Sequence, residues 1–203
     1  DLIGISPSDD VRRSLVKMQG FLSRHGVNGA YLTPENLHMT LAFIGEYSES
    51  NAVLDAMEEV TFDPFEIIYE HIGTFRESII WGGIESSEPL EKLVKRLRYE
   101  LDKAEIPFDH AGFVPHFTLA RHADFSRGIP FMEIVPVPMT VDQMILFRSD
   151  RGKNGMVYTP IGAVDACGAI CTTAIGAATA LKDRKEDEGK IREGVSYGKK
   201  DQR

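Results

Sequence analysis

The chain has little of what marks several large classes of protein. Only two of its 203 residues are cysteine, Cys167 and Cys171, close together near one end. That is no disulfide framework, and it fits a reducing compartment, so a cytoplasmic location is expected. No stretch approaches the roughly 20 apolar residues of a membrane-spanning helix, and no basic-then-apolar leader opens the chain. The first residue is Asp1 rather than methionine, so a few residues are expected upstream. Acidic residues outnumber basic ones, 31 to 23, for a formal charge of -8. There is thus no global positive field to draw in nucleic acid, and any RNA contact must rest on a local basic patch. No carboxylate, cysteine and histidine cluster has metal-ligand spacing, so neither a metal nor another cofactor is expected.

What is present suits one globular domain, with 42% apolar residues and 27% charged ones. Residues 2–6 read as a short buried strand. Ser8 with Asp9 and Asp10 marks a helix start, and Val11, Leu15, Met18 and Leu22 fall on one face until Gly26 ends it. Residues 37–44 read as a strand, followed by a helix through Val53, Leu54, Met57 and Val60. Phe65, Ile67 and Tyr69 alternate as on a half-buried strand, Gly73 is expected at a turn, and 78–84 form the next strand. Pro89 opens a third helix with the stripe Leu90, Leu93, Val94, Leu97 and Leu101. Further strands are expected near 114–121, 130–136, 141–148 and 156–161. Strands outnumber helices and several look hairpin-linked, which favours an α+β fold over a doubly wound parallel sheet.

After Gly162 the composition changes. Residues 163–180 are almost all small, and 181–203 are dominated by charged residues and glycine. The expected division is a domain over 1–162 and a partly disordered tail over 163–203 with no functional reading. The tail holds eight Lys and Arg against seven Asp and Glu, so it is not a polybasic arm.

The chemistry lies in two matching segments, His38-Met39-Thr40-Leu41-Ala42 and His116-Phe117-Thr118-Leu119-Ala120. On a strand, residues i and i+2 share a face about 7 Å apart, so each segment sets a histidine beside a threonine and turns its apolar residues to the core. Two such strands across a cleft supply two imidazoles that titrate near neutrality, one to take a proton and one to give it. The two hydroxyls can bind phosphoryl oxygens. A lone His-x-Thr strand is usually structural. A matched pair is expected in only about one random chain in a hundred.

On these residues the sequence resembles the two-histidine (2H) phosphoesterase superfamily, in its LigT-like branch of RNA 2′,3′-cyclic phosphodiesterases, also called 2′-5′ RNA ligases. The resemblance runs through Pro34–Glu46 and Phe113–Arg121, with support from Ile80–Ile84, Leu146–Ser149 and Val157–Pro160, and covers about residues 2–162. It implies a bilobal fold of two antiparallel sheets with helices outside, pseudo-duplicated about a central cleft. It implies hydrolysis of 2′,3′-cyclic phosphates to 2′-phosphates, with RNA 3′ ends or small cyclic nucleotides as partners and no membrane. His38 would be the proton donor to the departing 3′-oxygen and His116 the proton acceptor from water, while Thr40 and Thr118 hold the phosphate. Arg121 matches a phosphate-binding arginine of the family. Simple alternation sets it on the face opposite His116, so its use needs a strand end or a bulge.

Other residues carry weaker signals. His110 and Arg148 are candidate RNA contacts, the latter with Arg151 and Lys153 near a turn, and a solvated surface is the competing reading. Phe43, Phe113 and Trp81 could stack a base, with core packing the alternative for Phe43. His25, His71 and His122 have no partner pattern and are expected to be structural or exposed. Cys167 and Cys171 lack the further ligands of a zinc site. Within the enzyme reading, the substrate could instead be another cyclic phosphate or a 2′,5′-linked oligonucleotide, and the reverse ligation uses the same groups. A non-catalytic RNA-end binder is the alternative of another class, but binding alone does not call for an acid and a base.

Overall fold

The first helix, α1 (Asp9–Arg24), begins where Ser8 Oγ accepts the Val11 N–H at 3.3 Å and two aspartates fill the first turn. Val11, Leu15, Met18 and Leu22 are buried, and Gly26 ends the segment with φ of +87°, a conformation that costs glycine little. The helix α3 (Glu88–Lys103) repeats the design: Ser87 Oγ accepts the Leu90 N–H at 3.4 Å, and Leu90, Leu93, Val94, Leu97 and Leu101 are buried. Between them lies the shorter α2 (Ser50–Glu58), which buries Val53, Ala56 and Met57. These elements come from a computed structural model that describes residues 1–76, 78–153 and 155–166. The cysteine pair and the tail beyond Ala166 lie outside the described residues. Among those described, no helix is long and apolar enough to cross a membrane.

The strands are β1 (Leu2–Ile5), β2 (Asn28–Tyr31), β3 (Met39–Phe43), β4 (Phe65–Phe75), β5 (Ile79–Ile84), β6 (His116–Asp124), β7 (Val137–Val141), β8 (Gln143–Gly152) and β9 (Gly155–Asp165). All pairings are antiparallel, in the order β7-β4-β5-β6-β3-β1-β8-β9, with β2 also on β6. The expected two sheets are present as two lobes, β7-β4-β5-β6 and β3-β1-β8-β9. They are continuous through a single ladder pair, Met39 with Phe117, both fully buried. The strands bearing the two histidine motifs therefore meet at the seam. One face of the sheet packs on the helices to make the core; the other faces the cleft.

Four details depart from the sequence reading. Residues 130–136 form no strand, and the strand there is β7, starting at Val137. Pro130 and Pro136 bracket that stretch and remove donors a ladder needs, while Phe131 is 88% exposed and anchors nothing. Gly73 lies within β4 rather than at a turn; the reversal falls after Phe75, with Arg76 at φ +52°. The strand β2 was not legible, since Asn-Gly-Ala-Tyr has no apolar alternation. Finally, β9 runs past Gly162 to Asp165, pairing Ala163, Val164 and Asp165 with Ile145, Met144 and Gln143, and the Ala166 N–H reaches the Asp142 carbonyl at 2.6 Å.

That last feature predicts that residues 163–166 belong to the folded unit. A chain shortened after Ala166 should keep the full-length urea midpoint. One shortened after Gly162 loses three ladder pairs and the Ala166 bond, and should be destabilised by about 1–3 kcal/mol. Equal midpoints for the two would show that residues 163–166 add nothing.

Candidate active site

The site is built by a small irregularity that occurs twice. Along β3, Thr40 pairs with Gly4 and Ala42 with Ile3, so Leu41 has no partner of its own on β1. Along β6, Thr118 pairs with Trp81 and Ala120 with Ile80, and Leu119 is the extra residue. Such a one-residue slip is a β-bulge, and it resets which face later side chains occupy. Before the slip, His and Thr face the cleft while Met39 and Phe117 face the core. After it, Ala42 and Ala120 face the core, and Phe43 and Arg121 turn to the cleft. The bulge that Arg121 requires is present.

Each histidine is held in the same way. His38 Nδ1 lies 2.7 Å from the Asn36 carbonyl, and His116 Nδ1 lies 2.7 Å from the Val114 carbonyl. A carbonyl only accepts, so Nδ1 carries the proton in both rings, and both Nε2 atoms are left for chemistry. Asn36 is itself fixed across the lobe: its Nδ2 donates to the Met156 carbonyl at 2.8 Å, and its Oδ1 accepts the Tyr158 N–H at 3.2 Å. His38, 7% exposed, is enclosed by Tyr158 and Phe147, with ring centroids 4.4 and 5.7 Å away. His116 is half-buried and meets Phe75 edge-on at 4.8 Å and Trp81 at 5.8 Å.

Burial pushes both rings below the usual histidine range. The Asn36 and Val114 carbonyls oppose that shift by stabilising the charged forms. The Arg121 guanidinium lowers both further, and His116 adds to the lowering of His38. Arg121, which the bulge turns to the cleft face, thus bears on both histidines.

The wall beyond His116 is aromatic. His71, Gly83 and His116 form a row across β4, β5 and β6. A slip at Glu70 brings His71, Gly73 and Phe75 to the cleft face. Gly83 lets the His71 ring lie across it, since a Cβ there would stand 2.1 Å from His71 Nε2. Gly73 does the same for Trp81, whose ring would be 2.3 Å from an added Cβ. His71 contacts Trp81 edge-on at 5.7 Å.

The structure therefore brings together His38, Thr40, Phe43, His116, Thr118 and Arg121. Phe43 is 49% exposed, as a residue on the cleft face is and a core residue is not. Two other candidates have ring or ion-pair partners of their own. His110 lies over Phe108, with centroids 4.2 Å apart. Arg148 follows Phe147 on β8 and so points to the opposite face, where its Nε donates to Asp150 at 3.0 Å. Asn36, Tyr158, Phe147, Phe75 and His71 were not singled out from the sequence as cleft residues. Asn36, Tyr158 and Phe147 lie within the matched runs Pro34–Glu46, Val157–Pro160 and Leu146–Ser149, where no role was attached to them. The rest depend on slips and pairings that no spacing reveals.

Comparison with known proteins agrees with this geometry. Residues 7–153 match the family model of the 2′-5′ RNA ligase superfamily. A protein of Aquifex aeolicus named RNA 2′,3′-cyclic phosphodiesterase is 33% identical over 152 residues, 66% of this chain and 80% of that protein. One of the same name from Thermotoga maritima is 26% identical over 169 residues, 77% of this chain and 89% of that one. The crystal structure of Escherichia coli LigT complexed with 3′-AMP superimposes with a TM-score of 0.68 at 23% identity, covering 81% of this chain and 95% of that one. The paired strands, their cleft and these likenesses agree, and the chain belongs to the 2′-5′ RNA ligase superfamily.

Proposed function

We propose that this protein hydrolyses 2′,3′-cyclic phosphates at RNA 3′ ends, or on small cyclic nucleotides, to 2′-phosphates. The observation that carries the reading is the duplicated histidine geometry: two Nδ1–H groups tied to carbonyls two residues back, two Nε2 atoms free, and one guanidinium acting on both rings. Relatives named RNA 2′,3′-cyclic phosphodiesterase support the substrate class, and the low cysteine content supports a cytoplasmic setting.

In the proposed reaction, His116 Nε2 takes a proton from water as the water oxygen bonds to phosphorus. The bond from phosphorus to the ribose 3′-oxygen breaks, and His38 donates its Nε2 proton to that oxygen. Thr40, Thr118 and Arg121 hold the non-bridging oxygens, where negative charge accumulates. The division of labour follows the resemblance, and exposure supports it. His116 is the more open ring, where water can reach it, while His38 is enclosed by Phe147 and Tyr158. Phe43, Trp81 and His71 would border the nucleoside.

Two predictions follow from this mechanism. His38→Ala and His116→Ala should each slow turnover of a 2′,3′-cyclic nucleotide by about two to four powers of ten. On a p-nitrophenyl phosphodiester, whose leaving group needs no proton, His38→Ala should lose far less than His116→Ala. Equal losses on both substrates would exclude His38 as the acid. All activity should persist in EDTA, and a loss restored only by added metal would refute the two-histidine mechanism.

The pH dependence is set by the same groups. The mechanism needs one neutral and one charged ring, so kcat/KM should be bell-shaped, reporting constants that belong to the pair. Both rings titrate below the ordinary value of 6.5, so the optimum should lie on the acidic side of pH 6.5. Removing the Arg121 charge makes protonation easier, and Arg121→Gln should move both limbs to higher pH. A wild-type optimum above neutrality, or limbs unmoved in the variant, would contradict this account.

A further inference from the structure

On β6 the carbonyl of Leu119, the slipped residue, accepts two bonds on the β2 side. One comes from the Leu32 N–H at 3.0 Å, the other from Gln19 Nε2 at 2.9 Å. The second hydrogen of the same amide goes to the Leu32 carbonyl at 2.8 Å. Gln19 is 8% exposed, on an α1 face that is otherwise apolar. A buried amide costs free energy unless its bonds are made; one of the two that this amide donates lands on the bulged residue and the other on Leu32, whose own N–H is bonded to that residue.

The other lobe repeats the arrangement. Arg98 on α3 donates through Nη1 to the Ala111 carbonyl at 2.8 Å and through Nη2 to the Leu41 carbonyl at 3.5 Å. Leu41 is the slipped residue of β3. Gln19 stands ten positions after Asp9, the first residue of α1, and Arg98 ten positions after Glu88, the first of α3. Both helices have 16 residues. The arrangement is crossed. The helix of the first half holds the histidine strand of the second, and the helix of the second half holds that of the first.

In an unslipped register β6 would bury Arg121 against the core and lose it from the cleft. Bonds to the bulged carbonyl favour the slipped register over the regular one. We propose that Gln19 is a positioning residue, holding β6 in its slipped register through Leu119 and so aiming Arg121 at the phosphate. Arg98 serves Phe43 through Leu41 in the same manner. The proposal rests on the reading of Arg121 as a phosphate ligand.

A double-mutant cycle on the full chain tests it, with 2′,3′-cyclic AMP as substrate. Gln19→Met keeps length and volume but removes the donors. Alone, it should lower kcat/KM about tenfold, the scale of a misplaced binding group, and shift the pH profile in the direction expected for Arg121→Gln. In an Arg121→Ala background it should cost less than about twofold more, because the residue it positions is gone. Multiplicative losses would overturn the proposal while leaving the Arg121 reading intact. An Arg121→Ala enzyme with unchanged kcat/KM would overturn both. If Gln19→Met does not fold, the partly exposed Arg98→Met with Phe43→Ala forms the equivalent cycle. There too, losses that do not overlap count against the proposal.

Discussion

One extra residue in each of two strands is the constraint on which the cleft depends. A β-strand alternates faces with period two, so a histidine, a threonine and an arginine at positions 116, 118 and 121 cannot share a face in a regular strand. The slip at Leu119 changes the count, and the slip at Leu41 does the same for Phe43. Each slip falls two residues after one anchored at the seam, Met39 or Phe117, which are the sole ladder pair between the two lobes among the described residues. The histidines are thus set by the rigid seam, and the groups that follow are set by the bulges. Changing the register by one residue would leave the acid and base in place while removing the arginine.

The electrostatics of the cleft follow from burial and a single cation. Both imidazoles are depressed by desolvation and by Arg121, so the empty cleft disfavours the imidazolium that the proposed acid requires. A bound phosphodiester brings the missing negative charge, which favours a protonated ring. By linkage, a ring that gains a proton when the anion binds also binds the anion more tightly as the pH falls. The overall charge of -8 works against an RNA chain approaching at long range. In the proposed mechanism recognition would therefore come from contacts inside the cleft: Arg121, two hydroxyls and an aromatic wall.

Much of this was legible in the sequence, and the illegible part has a physical reason. The repeat of His-x-Thr-Leu-Ala, the serine cap at Ser8, the opening proline Pro89, and the apolar stripes of α1 and α3 are local signals, and local geometry follows them. The need for a bulge before Arg121 could be deduced because alternation forbids the alternative. Its partner Gln19 could not, because the bond to Leu119 spans 100 residues and Gln19 reads in sequence as an ordinary helical position. Gly73 reads locally as a turn, yet its role is to clear space for the Trp81 ring on the next strand. The stretch 130–136 contains the strand-favouring Phe131, Ile134 and Val135, but composition says nothing about whether a neighbouring strand has a free edge for it. Asn36 is a similar case, since its three partners come from β9 and from His38, and no spacing foretells that set.

The remaining question is how a near-symmetric scaffold serves an asymmetric reaction. Opening a cyclic phosphate takes a proton from one oxygen and delivers one to another, so the two histidines must differ although their strands, backbone ties and bulges match. The differences lie in what surrounds them. His38 is closed in by Phe147 and Tyr158 of the β8–β9 hairpin, while His116 is bordered by Phe75 and Trp81 and stands more open. After the bulges, the equivalent positions hold Phe43 on one strand and Arg121 on the other. At these equivalent positions one strand thus carries a flat apolar ring and the other a positive charge, so the two halves of the cleft differ. In the proposed mechanism duplication supplies the paired acid and base, and the divergence of these few flanking residues is what would orient the ligand between them.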